Sequence, residues 1–151
     1  ELRKTLGFIA PAFDKFKIST NLTLITSTMD VIEQSGLEPE SRPFEGQSPL
    51  LANLSLGYLN PDSKWDIQVS YNYTGERLAV VGLNSPDIYE RGLSTLDAVI
   101  SKKLGNVSLK FAANNLLNPN YTTSSEYLGQ EYLTRQYKKG TSFVLSVAYE
   151  L

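Results

Sequence analysis

The chain contains no cysteine and no histidine. Without cysteine there is no disulfide framework, no thiolate nucleophile and no cysteine-based metal site; without histidine the commonest general base, metal ligand and near-neutral pH switch are missing. Charge is sparse and balanced. In 151 residues, 14 Lys+Arg stand against 16 Asp+Glu, a net charge of −2, and no basic block is present to meet nucleic acid. No run reaches the roughly 18 consecutive apolar residues of a spanning helix. No charged N-terminal region followed by an apolar run marks a signal peptide. A glycine-rich phosphate loop and a Ser-His-Asp constellation are also absent, so neither catalytic chemistry nor a cofactor is expected. The chain begins at Glu1 and is expected to be a portion of a longer one.

What is present is alternation. Apolar residues make up 41% and aromatics 11%, too much for a disordered tail, and they recur with period two instead of at helical spacing. In 17–30 one face carries Ile18, Thr20, Leu22 and Leu24, the other Lys17, Ser19, Asn21 and Thr23, with Ile25 breaking the pattern. Leu50, Ala52, Leu54, Leu56 and Tyr58 oppose Asn53, Ser55 and Gly57. After Pro61 the parity changes: Trp65, Ile67, Val69, Tyr71 and Tyr73 oppose Asp66, Gln68, Ser70, Asn72 and Thr74. Leu96, Ala98 and Ile100 oppose Thr95, Asp97 and Ser101, and Val107, Leu109, Phe111 and Ala113 oppose Ser108, Lys110 and Asn114. The last segment places Phe143, Leu145, Val147, Tyr149 and Leu151 on one side. With a weaker strand near 4–10, the pattern predicts an all-β chain of seven antiparallel strands, one domain over 1–151.

The connections alternate in length. Residues 11–15, 60–64 and 105–106 are short and rich in Pro, Gly, Asn and Asp, whereas 31–48, 80–92 and 118–140 are long and polar. An outer-membrane barrel has short periplasmic turns, long extracellular loops and strands of about ten residues alternating apolar-out and polar-in. The pattern therefore predicts membrane strands, with lipid on one face. Trp65, Tyr58 and Tyr149 toward one end, and Tyr71 and Tyr73 toward the other, suit two interfacial girdles.

Three motifs sharpen this. Arg42-Pro43-Phe44-Glu45-Gly46-Gln47-Ser48-Pro49, then Pro86-Asp87-Ile88-Tyr89-Glu90-Arg91 followed by Leu96-Asp97, then Asn114-Asn115-Leu116-Leu117-Asn118-Pro119-Asn120-Tyr121, stand in that order across nearly the whole chain. In this the sequence resembles the C-terminal end of the barrel of TonB-dependent outer-membrane receptors. The resemblance implies a 22-stranded barrel with an N-terminal plug domain, moving a scarce nutrient (siderophore, vitamin, glycan or peptide) across the outer membrane of a Gram-negative bacterium. The implied partners are outer-membrane lipid, the rest of the barrel and its plug, a TonB-type energy-coupling protein and the barrel-assembly machinery. Lys138-Lys139-Gly140-Thr141-Ser142-Phe143-Val144-Leu145 looks like the terminal-strand assembly signal, carried by Gly140, Phe143, Leu145 and Leu151, although Leu151 departs from the usual terminal aromatic.

For substrate contact the expected residues are in the loops: Arg42, Glu45, Asp87, Tyr89, Arg91, Glu126, Tyr127, Tyr132 and Arg135. Lys17, Asn21, Asp66, Gln68, Asn72, Asp97, Lys110 and Asn114 are expected to line a polar barrel wall. The carboxylate pairs Glu38/Glu40, Asp87/Glu90 and Glu126/Glu131 have a spacing open to glycoside chemistry, but loop solubility explains them more simply. Two rivals stay open: a soluble β-sandwich binding carbohydrate or another ligand, whose apolar faces would meet one another, and a small outer-membrane barrel acting as enzyme or adhesin.

Overall fold

The computed structural model describes residues 1–31, 40–82 and 85–150. Thirteen strands are seen among the described residues: β1 (Leu2–Thr5), β2 (Phe16–Leu24), β3 (Met29–Val31), β4 (Glu40–Arg42), β5 (Leu50–Asn60), β6 (Trp65–Thr74), β7 (Arg77–Val80), β8 (Ile88–Glu90), β9 (Leu93–Leu104), β10 (Val107–Asn114), β11 (Asn120–Tyr127), β12 (Gln130–Lys138) and β13 (Ser142–Tyr149). The only helical pieces among the described residues are two 3-10 turns, Leu6–Phe8 and Pro11–Phe13. The chain is thus all-β, and every strand pairing is antiparallel.

One sheet has seven strands in the order β1-β2-β5-β6-β9-β10-β13; a second has four, in the order β12-β11-β8-β7; β3 and β4 pair alone. Three sequence expectations need correction. The first strand spans Leu2–Thr5 instead of 4–10, because Gly7 and Pro11 favour tight turns over a continuing ladder. Segment 17–30 stops as a strand at Leu24, and the long connections are not loops throughout: they carry or adjoin β3, β4, β7, β8, β11 and β12. Residues 118–140 in particular form the β11–β12 hairpin. Its polar Thr and Ser positions lack apolar alternation, which is why period-two reading missed it.

Register decides what each face of the large sheet carries. Ile18, Leu56, Val69 and Ala98 line up across β2, β5, β6 and β9, as do Ile67, Ile100, Phe111 and Leu145 across β6, β9, β10 and β13. A shift of one residue in any pair would turn an apolar row to the polar side. Lys17, Ser55, Ser70 and Asp97 lie on the opposite face, in the alternate positions of the same strands.

Among the described residues nothing packs on the apolar face. Leu54, Leu56, Ile100 and Phe111 are exposed, and Leu145 is 70% exposed. The buried apolar residues among those described are Leu78 and Ala113 alone. Total accessible surface is 10526 Å², against roughly 7,600 Å² for a compact monomer of this mass by surface scaling. A sandwich would set a second apolar layer against these side chains, and no such layer exists among the described residues.

Candidate functional site

The large sheet has two unlike ends. At one, residues 61–64 and 105–106 reverse the chain tightly. Here aromatic rings gather on the apolar face: Phe16 and Tyr58 lie with ring centroids 4.9 Å apart, and Lys102 Nζ stands 4.4 Å over the Trp65 ring. An amphipathic ring beside a lysine on a long apolar stem suits a boundary between hydrocarbon and water.

The other end carries the small sheet and the long connections, and the three sequence motifs meet there. From the first motif, Arg42 Nε lies 3.0 Å from Asp87 Oδ2 of the second, and both side chains are nearly buried, at 10% and 12% exposure. Asp87 Oδ1 accepts from the Gly82 amide at 2.8 Å, and Arg42 donates to the Gly82 carbonyl at 3.3 Å. At Gly82 a Cβ would collide with the Ser85 carbonyl, so this close approach requires glycine. Gly46 holds φ 77, and its amide donates to the Leu78 carbonyl at 2.7 Å. The Ser48 hydroxyl, also buried, lies 2.9 Å from each of the Leu50 and Gly75 carbonyl oxygens, shares its one proton between them, and so ties the start of β5 to the end of β6.

Arg77 donates through two nitrogens to Glu90 Oε2, at 2.8 and 3.2 Å, and through a third to the Gly46 carbonyl. Arg91, just after β8, bonds Glu131 of β12 at 3.1 Å through Nε, and its amide donates to the Thr122 carbonyl. The Glu131 carboxyl is held below its ordinary range, first by its hydrogen bond from Arg91 and then by one from Ser124; Arg91 is raised correspondingly by Glu131. From the third motif, Asn115 donates to the Gly140 carbonyl at 2.7 Å and its amide to Asp97 Oδ1 at 2.8 Å, while Asn118 accepts from the Gly140 amide at 3.1 Å. Asn115 and Asn118 both hold positive φ, which asparagine tolerates better than most residues.

The residues expected to touch substrate therefore divide. Arg42 and Asp87 are spent on one another, and Arg91 on Glu131. Tyr89 is half-buried within β8, in register with Leu78 and Ser124. Glu45 and Glu126 are exposed, Tyr127 and Tyr132 stand out on the β11–β12 hairpin, and Arg135 lies 4.8 Å over the Tyr137 ring. Three carboxylates of the supposed acid/base pairs face arginines: Asp87 meets Arg42, Glu90 meets Arg77 and Glu131 meets Arg91. Glu38 lies outside the described residues. Arg77 is not singled out in the sequence, and the partners Gly75 of Ser48 and Asp97 and Gly140 of Asn115 are not anticipated there, because they are distant along the chain.

On the polar face a groove of about 460 Å³ runs along the strands, lined by Lys17, Asn21, Asn53, Gln68 and Asn72 among others. A second of about 240 Å³ adjoins Asp66, Asp97 and Lys110. Cross-strand bonds join Ser70 to Ser55 and Asn72 to Thr95 and Asp97, and Asn114 donates to Ser142. No group of three or more acidic residues that could hold a metal occurs among the described residues. Of the terminal-strand residues, Gly140 holds φ 83 and Phe143 and Leu145 point from the apolar face of β13; Leu151 lies outside the described residues.

An apolar face left open, a polar face opposite, tight turns at one end and bonded loops at the other define a wall strand set of an outer-membrane β-barrel. The comparison of sequences agrees: residues 5–149 match the Outer membrane protein beta-barrel family, and the chain belongs to it. Its place is the outer membrane of a Gram-negative bacterium. Neither a curated protein nor a solved structure matches the chain.

Proposed function

We propose that the chain is the C-terminal, seven-strand meander of a TonB-dependent outer-membrane transporter, part of a 22-stranded barrel that imports a scarce nutrient. The reading rests on the coincidence that the three motifs of the resemblance are the segments bonded together at the loop end. In this reading the apolar face meets lipid, the polar face lines the lumen beside a plug domain, and the bonded loops form the outer mouth. Among the described residues neither edge of the large sheet, β1 or β13, has a further partner strand. Unpaired edges in hydrocarbon cost several kcal/mol per backbone group, and eight strands are about the least that close a membrane barrel, so further strands must complete it. The segment itself carries no catalytic chemistry and binds no cofactor. Its partners are outer-membrane lipid, the remaining barrel and plug, a TonB-type energy-coupling protein and the barrel-assembly machinery, which reads β13 as the terminal strand.

The test is uptake by the intact protein, in cells with and without the energy-coupling protein, across siderophore, vitamin, glycan and peptide pools. Accumulation of one nutrient class that stops when coupling is removed supports importer function. Passive, size-limited diffusion that is indifferent to coupling would replace it with a porin-like role.

A further inference from the structure

The base of the β11–β12 hairpin carries an arrangement that neither the loop framework nor the lumen wall requires. Tyr121 and Tyr137 face one another across the two strands, with ring centroids 5.3 Å apart and planes inclined by 19°. Arg135 lies 4.8 Å over the Tyr137 ring and Lys139 Nζ 4.0 Å over the Tyr121 ring. The order along the hairpin is cation, two rings, cation. Thr122 is buried on the other face of β11, where it accepts from Gln136 at 3.2 Å. Alternation therefore turns the rings and both cations away from the packed side.

Neither Arg135 nor Lys139 has a carboxylate partner among the described residues. The contrast with Arg42, Arg77 and Arg91, each paired with an acid, is sharp. The cluster is also held in place. Gly140, next to Lys139, is clamped through its amide by Asn118 and through its carbonyl by Asn115, and Thr141 donates to the Asn115 carbonyl at 3.0 Å. Two preorganised cations four residues apart stand roughly 13 Å from one another at the rise of an extended strand, with aromatic surface between them.

We propose that this outward face binds an acidic saccharide: sugar rings against Tyr121 and Tyr137, and phosphate or carboxylate groups on Arg135 and Lys139. A cation held over a ring keeps its donors available to an anion, and a disaccharide bearing an acid at each end has about the right span. Two sources offer this chemistry, the anionic glycolipid of the outer leaflet and a soluble acidic oligosaccharide. The inference stands apart from the transport reading: a soluble ligand here would be captured cargo, whereas a lipid-anchored one would brace the hairpin against the membrane.

The intact protein in nanodiscs is titrated with a purified bisphosphorylated glycolipid, a soluble uronic-acid tetrasaccharide, a neutral tetrasaccharide and a glutamate-rich peptide. Binding of the glycolipid alone or of the soluble acid identifies the source and supports the proposal. R135Q/K139Q should bind about tenfold more weakly or worse, and Y121L/Y137L should bind more weakly too. R135K/K139R should keep most of the affinity. Heat-modifiable mobility on gels checks that each variant folds. The proposal falls if no acidic saccharide binds, if R135Q/K139Q folds and binds unchanged, or if the neutral sugar or the peptide binds as tightly with the same sensitivity to substitution.

Discussion

The seven-stranded sheet and the four-stranded sheet at its loop end solve opposite solvent problems. The large sheet is tied by backbone ladders of up to ten residue pairs and leaves its apolar side open, with Leu56, Ile100 and Phe143 uncovered. The small sheet has one ladder of eight pairs, the β11–β12 hairpin, but β7–β8 and β8–β11 share only three pairs each, and arginine–carboxylate bonds add to them; it contains Leu78, which is fully buried. Hydrocarbon supplies burial for the first, so its side chains need no protein neighbours on that side. The second stands in water and must find its neighbours within the chain. Polarity that would be ruinous in lipid is the means by which the loops are held.

The comparison is broken most directly by charge. Leu56→Arg on the apolar face should cost about 2–4 kcal/mol in denaturant titration of the intact barrel in lipid vesicles, while Ser55→Arg, one residue away on the polar face, should cost far less. Equal losses would mean that the faces are misassigned. Next in size is Arg42→Ala, which strands the nearly buried Asp87 carboxylate; a local loss of about 2 kcal/mol is expected at the loop end. Hydrogen exchange should speed up over β7 and β8, with the exchange of β5 and β6 unchanged. A global loss of barrel stability would show that the two sheets are one cooperative unit.

A smaller effect should have the opposite sign. At the tip of the β11–β12 hairpin Leu128 holds φ 51 and is 85% exposed, in a two-residue turn where asparagine or glycine is the usual occupant. Leu128→Asn should slow exchange in the hairpin by relieving about 1 kcal/mol of strain. No change would mean that the strain is taken up elsewhere.

The least effect is expected from acid. The Glu131 carboxyl titrates below its ordinary value of 4.5 because of Arg91, so what the pair contributes is present above that value and is lost as pH falls through the lowered one. Arg91, shifted upward, stays charged throughout. Protection of the β12 amides should decline at acidic pH in the native protein and be flat in Glu131→Gln. Both groups are exposed, and high salt should mask the difference.

Much of this was legible one strand at a time. Trp65 to Tyr73 and Val107 to Ala113 announce by alternation which side chains share a face, because the two-residue period belongs to the backbone of a single strand. The turns at 61–64 and 105–106 are written in local chemistry as well. The hairpin over 118–140 was illegible for the same reason: Thr122, Thr123, Ser124 and Ser125 carry no hydrophobic contrast from which a period can be read.

The sequence by itself determined an all-β chain with an apolar and a polar face to its strands, tight turns at one end and long segments at the other. The tertiary structure alone decided that Arg42 meets Asp87, that Arg91 reaches Glu131, and that Arg135 and Lys139 lie over aromatic rings and, among the described residues, meet no acid. The physical reason is range. Which face a side chain takes follows from its neighbours in the strand, whereas the partner of a loop charge is set by strand order and register, which bring together residues 40 positions apart and leave no trace in the local pattern.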